Sequence, residues 1–172
     1  YRSDGTASEL RVTVCWTDPA GTVPPWVLDP PDLMLVNDLD LRVDKDGTLN
    51  EPWVLDPSNP ASPAATGDNF RDNVEQVHIA NPEAGIYVVR INHKGSLAGG
   101  SQDFSIVVSG AVRANTWRVY ANGTGDAPTI AAAIDSAANG DQIFVYPGMY
   151  REHDVVVDKP VVIKGIKGPE LT

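Results

Sequence analysis

Apolar side chains alternate with other residues through Leu10, Val12, Val14 and Trp16, the two-residue period of a strand with one buried face. The pattern runs over residues 9 to 17 and closes at the turn Asp18-Pro19-Ala20-Gly21. A second alternation sets Leu39, Leu41 and Val43 on one face and Asp38 and Asp40 on the other. The hairpin signal Asp44-Lys45-Asp46-Gly47 follows it. Further strands are expected over residues 74 to 80, 86 to 92 and 103 to 109, divided by Asn81-Pro82-Glu83-Ala84-Gly85 and by a Gly-rich stretch over 95 to 101. Five prolines between residues 19 and 32 exclude a helix there and predict an extended loop. Residues 57 to 72, rich in Pro, Ser, Ala, Asn and Asp, predict a second long loop. Short strands at this spacing describe an all-β fold, an antiparallel β-sandwich or jelly roll, over residues 1 to 112.

After Gly110 the pattern changes. An Ala-rich segment predicts one helix, with Asp126 or Ala127 near its N-cap, Pro128 early in its first turn and Gly140 as its stop. Ile130, Ala133, Ile134 and Ala137 form its apolar stripe. Short strands are expected around residues 143 to 145, 155 to 157 and 161 to 163, so residues 113 to 172 read as a separate unit. The hexapeptide Pro25-Trp26-Val27-Leu28-Asp29-Pro30 recurs as Pro52-Trp53-Val54-Leu55-Asp56-Pro57. It reads either as two aromatic lobes for a ligand or, preferred on composition, as two Pro-bounded loops each pinned by its Trp.

Fifteen glycines and 14 prolines make about one residue in six of the 172 a turn former, against roughly one in eight in average usage. That reinforces short strands over long helices. A formal charge of −10, from 13 basic and 23 acidic residues, excludes nucleic acid and anionic membrane surfaces as natural partners and suits an extracellular cation binder. No apolar run reaches the ~20 residues of a membrane span. One cysteine makes no internal disulfide, so core packing and bound metal are left to hold the fold. The chain opens at Tyr1 almost directly into a strand, which reads as a segment of a longer protein whose targeting signal lies outside it. A full jelly roll calls for a strand before Glu9.

The candidate chemistry follows from the carboxylates. Asp38 and Asp40 point the same way and repel unless a cation lies between them. Glu75 shares its face with Val77 and Ile79, so it points toward a core and needs a partner there. With Asp18, Asn37 and Asn73 these make six hard oxygen donors suited to a structural Ca2+. The competing reading gives Asp18, Asn37 and Asp38 the task of capping turns. Residues 44 to 47 do not align with an EF-hand. Cys15 sits mid-strand, the histidines lack zinc spacing, and no nucleophile motif is present, so no residue of this chain is assigned to catalysis. Asn122-Gly123-Thr124 is a glycosylation acceptor only in a eukaryotic secretory host. The acidic residues Asp126, Asp135, Asp141, Glu152, Asp154 and Asp158 read as caps and turns.

Four blocks carry a family resemblance: Leu10-Arg11-Val12-Thr13-Val14-Cys15-Trp16-Thr17-Asp18-Pro19, Val36-Asn37-Asp38-Leu39-Asp40-Leu41, Asp72-Asn73-Val74-Glu75-Gln76-Val77, and Gln102-Asp103-Phe104, with the Gly85-Ile86-Tyr87 strand lying between the last two. In order and spacing, residues 8 to 110 resemble the C-terminal β-sandwich that follows the catalytic domain in secreted subtilisin-like serine proteases. Gly125-Asp126-Ala127-Pro128-Thr129-Ile130, Asn139-Gly140-Asp141, Pro147-Gly148-Met149-Tyr150 and Lys159-Pro160-Val161-Val162-Ile163-Lys164-Gly165 resemble the cap helix and first coil of a pectate-lyase-like right-handed parallel β-helix. The resemblance implies a noncatalytic accessory domain on a secreted or cell-surface protease. Its expected partners are the upstream catalytic domain and a protein or polysaccharide substrate. An adhesion or carbohydrate-binding module on a β-helix scaffold is the alternative.

Overall fold

The computed structural model describes residues 1 to 26, 28, 30 and 32 to 166; Val27 and Asp29 of the first hexapeptide lie outside the described residues. Among the described residues the chain is all-β with a single α-helix, and it divides into two compact units with the boundary between Val112 and Arg113.

The first unit contains β1 (Arg2–Ser3), β2 (Glu9–Trp16), β3 (Leu39–Lys45), β4 (Thr48–Asn50), β5 (Trp53–Val54), β6 (Ala65–Thr66), β7 (Val74–Ala80), β8 (Gly85–Ile86), β9 (Val88–His93) and β10 (Phe104–Ser109). Two three-stranded antiparallel sheets dominate it. In one, β2 lies between β10 and β7; in the other, β3 lies between β4 and β9. The alternating residues Leu10, Val12, Val14 and Trp16 from β2 meet Leu39, Leu41 and Val43 from β3, with Val77 and Tyr87, in one core. Each of these side chains is nearly or wholly removed from water, at roughly 25 cal/mol per Å² of apolar surface. Trp16 brings a polar nitrogen into that core and donates it to Asn37 O at 3.0 Å.

The β3–β4 hairpin turns through Asp46 at φ 51° and Gly47 at φ 88°, both left-handed as a tight primed turn requires. The expected strand over 86 to 92 divides into β8 and β9 around the buried Tyr87, whose hydroxyl donates to Glu83 O at 3.1 Å. Arg2–Ser3 supplies a strand ahead of Glu9, pairing with β8. The loop over 57 to 72 is not wholly irregular, because Ala65–Thr66 pairs back on Trp53–Val54. Trp53 is thereby part of a two-stranded ladder, whereas Trp26 is fully exposed and pins nothing. The pinned-loop expectation therefore fails for the first hexapeptide.

In the second unit, β11 (Thr116–Val119), β12 (Gln142–Val145) and β13 (Val162–Gly165) form a parallel sheet with β12 in the middle. Helix α1 (Ile130–Ser136) buries Ala133 and Ile134 against Val119 and Ile143. Its N-cap is Thr129, whose hydroxyl accepts from Ala132 N at 3.0 Å, rather than the expected Asp126 or Ala127. The reason is local. Asp126 accepts from Arg118 N and returns its own amide to Arg118 O, both at 2.7 Å, and Ala127 bridges to Val119, so these residues extend β11's neighbourhood. Glu152 completes the helix start by accepting from Ile130 N and Ala131 N, each at 2.9 Å. Val155–Val157 form no strand; they follow Asp154 at φ 54° and, lacking a ladder, stay exposed. The buried Asp141 carboxylate gathers Asn115 N, Ala138 N and the Trp117 indole at 2.9 to 3.1 Å, a connector with no free oxygen.

Candidate functional site

Glu75 lies opposite Val14 in the β2–β7 ladder, which turns its side chain into the core beside Val77. It is 1% exposed. One carboxylate oxygen accepts from Leu41 N at 2.5 Å, reaching across from one sheet to the other. The amide needs it, since β4 pairs only with Val43–Lys45 and leaves the Leu41 edge of β3 uncovered. Leu41 O, on the same open edge, accepts from the Arg42 guanidinium at 2.8 Å.

The charges collect around this edge. Asp38 and Asp40 face one way from β3, and the ammonium of Lys94 lies between them, 3.0 Å from Asp38 Oδ2 and 2.7 Å from Asp40 Oδ1. Asp68, carried in by the loop after β6, adds a third carboxylate at 2.9 Å from the same nitrogen and also accepts from Arg42 at 2.7 Å. Arg42 reaches Asp40 as well, at 3.2 Å. Glu51 also pairs with Arg42, at 3.8 Å, so five carboxylates face two cations here, a net charge of −3 when Glu75 is ionised. Among the described residues, two buried side-chain oxygens accept no hydrogen bond, Asp38 Oδ1 and Glu75 Oε1, and both belong to this cluster.

Electrostatics follow the geometry. Burial raises the Glu75 carboxyl to about 7, and the neighbouring Asp40 charge adds to the rise, against the Leu41 amide, Arg42 and Lys94, which favour the ionised form. The Lys94 ammonium holds Asp68 down at about 2 despite some desolvation, and Arg42 helps it. Burial works against the charge on Lys94, yet its three carboxylate partners raise it above the ordinary lysine range.

Of the six predicted oxygen donors, the structure brings Asp38, Asp40 and Glu75 together. The other three knit loops. Asp18 accepts from Val36 N and Asn37 N at 2.7 and 2.8 Å, Asn37 accepts from Ala98 N at 2.7 Å and donates to Gln102, and Asn73 donates to Trp16 O at 2.7 Å. This is the turn-capping role for Asp18 and Asn37. Arg42 and Lys94 were not among the candidates. Arg42 carries a signal, two residues beyond Asp40 on the same face of β3; Lys94 carries none until β9 is registered against β3, placing His93 opposite Leu39. No group of three or more His, Cys, Asp or Glu arranged to hold a metal is present among the described residues as they stand. Comparison with protein-family models, with curated proteins and with solved structures gives no match.

The raised Glu75 carboxyl fixes a pH dependence. The folded state holds this proton more tightly than the unfolded chain, whose ordinary value is 4.5. Its contribution to stability is therefore complete below about 4.5 and is lost as pH rises through about 7, a change of about 3 kcal/mol. In chelator, the native chain is expected to melt on the order of 10 °C lower at pH 8 than at pH 5. Glu75→Gln, which keeps an acceptor for Leu41 N, is expected to flatten that slope; parallel slopes in the two proteins would show that Glu75 titrates normally.

Proposed function

We propose that the chain is a noncatalytic accessory module of a secreted subtilisin-like serine endopeptidase, made of a jelly-roll β-sandwich stabilised by Ca2+ and the opening coil of a right-handed parallel β-helix. Two antiparallel sheets around one core and a cap helix against a parallel sheet support the two-part reading. The resemblance of residues 8 to 110 to the protease sandwich supplies the parent activity, the upstream catalytic domain as partner and a secreted or cell-surface location.

The observation that carries the metal is the pair of buried carboxylate oxygens without hydrogen-bond partners. An oxygen in that state costs free energy unless a proton or a cation meets it. The donors are of the kind a hard divalent ion takes: Asp38, Asp40 and Glu75 would hold it, with Asp68 beside them, and its +2 charge would offset much of the cluster's negative excess. Calcium supplies structural charge neutralisation here, not a catalytic step. Thermal unfolding in excess Ca2+ and in excess chelator is expected to differ by several degrees for the native chain and by nothing for the Asp38→Ala/Asp40→Ala double variant. Identical melting of the native chain in both conditions would remove the metal from this account.

Exposure of Trp26, and of Trp53 at 42%, favours a second reading as an adhesion or carbohydrate-binding module. In that case Trp26→Ala and Trp53→Ala each lower retention on a glycan array with melting unchanged; unaltered retention, or none in the native chain, counts against it.

A further inference from the structure

Lys94 occupies the place that a bound cation would take. Its ammonium contacts Asp38, Asp40 and Asp68 at 2.7 to 3.0 Å, and these are the oxygens a divalent ion needs. The cluster is more than a collection of surface acids, because the 1%-exposed Glu75 carries an unpartnered oxygen and its carboxyl feels the charges of Arg42, Asp40 and Lys94. We infer that Lys94 is a built-in competitor for the metal, a tethered cation that fills the site when divalent ion is scarce and swings out when it binds. The inference rests on the calcium reading and names the residue that regulates it.

The surroundings allow the swing. Lys94 lies just past the end of β9, its amide fixed to Asp38 O at 2.9 Å while its side chain is 42% exposed. Gly95 follows at φ 60°, with open space where a Cβ would stand. Withdrawal of the ammonium frees Asp38 Oδ2, which joins the two unpartnered oxygens of Asp38 and Glu75, and leaves Asp40 Oδ1 and Asp68 Oδ1 with Arg42 as their one remaining cation. Three open carboxylate oxygens, the two shared with Arg42, and water approach the six to eight that calcium takes. The +1 ammonium leaves one negative charge more than a +2 ion would, so the metal has an electrostatic advantage that the tether partly offsets. Without the tether, the metal meets the same oxygens with no ammonium to displace.

Calorimetric titration of the full chain with CaCl2 tests this. Lys94→Met, which keeps the aliphatic stem, is expected to bind Ca2+ at least about tenfold more tightly than the native chain, while Lys94→Arg, which keeps the charge, is not. Equal or weaker binding by Lys94→Met, with the native chain still binding, would overturn the competition but leave the calcium site standing. Binding by neither protein would overturn both. A second measurement needs no variant: the slowly exchanging side-chain ammonium resonance of Lys94, expected in the chelated native chain, is expected to vanish on Ca2+ addition. A resonance that persists in calcium-saturated protein would also overturn the competition.

Discussion

The sheet built on β3 is covered by β4 over only half of its length, and the amide of Leu41 on the open half faces the interior with no strand to receive it. A buried amide without an acceptor costs about 1 to 3 kcal/mol, so the two sheets can close over a common core only if something from the other side supplies one. Glu75 does. The β2–β7 register points it inward opposite Val14, and the polar bond it forms spans the same space that Leu41, Val14 and Val77 fill with apolar contact. A neutral glutamine could serve the amide equally well, so the choice of an ionisable carboxyl, one that burial raises to about 7, demands a separate explanation.

That explanation lies in the second oxygen and its neighbours. Arg42 closes the carbonyl of the same open edge while reaching Asp40 and Asp68, and Lys94 ties Asp38, Asp40 and Asp68 into one group. The edge that could have invited pairing with another chain is therefore closed by charged side chains. The same groups leave two carboxylate oxygens without a hydrogen bond. An arrangement that protects an edge thus carries more negative than positive charge, and this is the physical basis for proposing a metal centre with its own resident competitor.

Much of the first unit was legible from period alone. β2, β3, β7 and β10 lie within a residue or two of where alternation placed them, because each buries one face and a slip by one residue would expose it. The inward aim of Glu75 and the shared direction of Asp38 and Asp40 came from the same arithmetic. What could not be read depended on partners distant in the chain. Lys94 is 54 residues from Asp40, and only the antiparallel register of β9 on β3 brings it to the carboxylates. Thr129 took the helix cap because Asp126 was held by β11, and Val155–Val157 show that an apolar run does not become a strand without a ladder. Asp18 and Asn37 have the right oxygen chemistry for a metal, yet backbone amides claim them first.

The dependence of the fold on the Glu75 to Leu41 bond is most directly read from amide hydrogen exchange at Leu41, measured by NMR on the native chain. The account predicts a Leu41 amide that exchanges only through global unfolding of the first unit, as slowly as the paired amides of β2. Exchange at the rate of an open sheet edge, with β2 still protected, would contradict it.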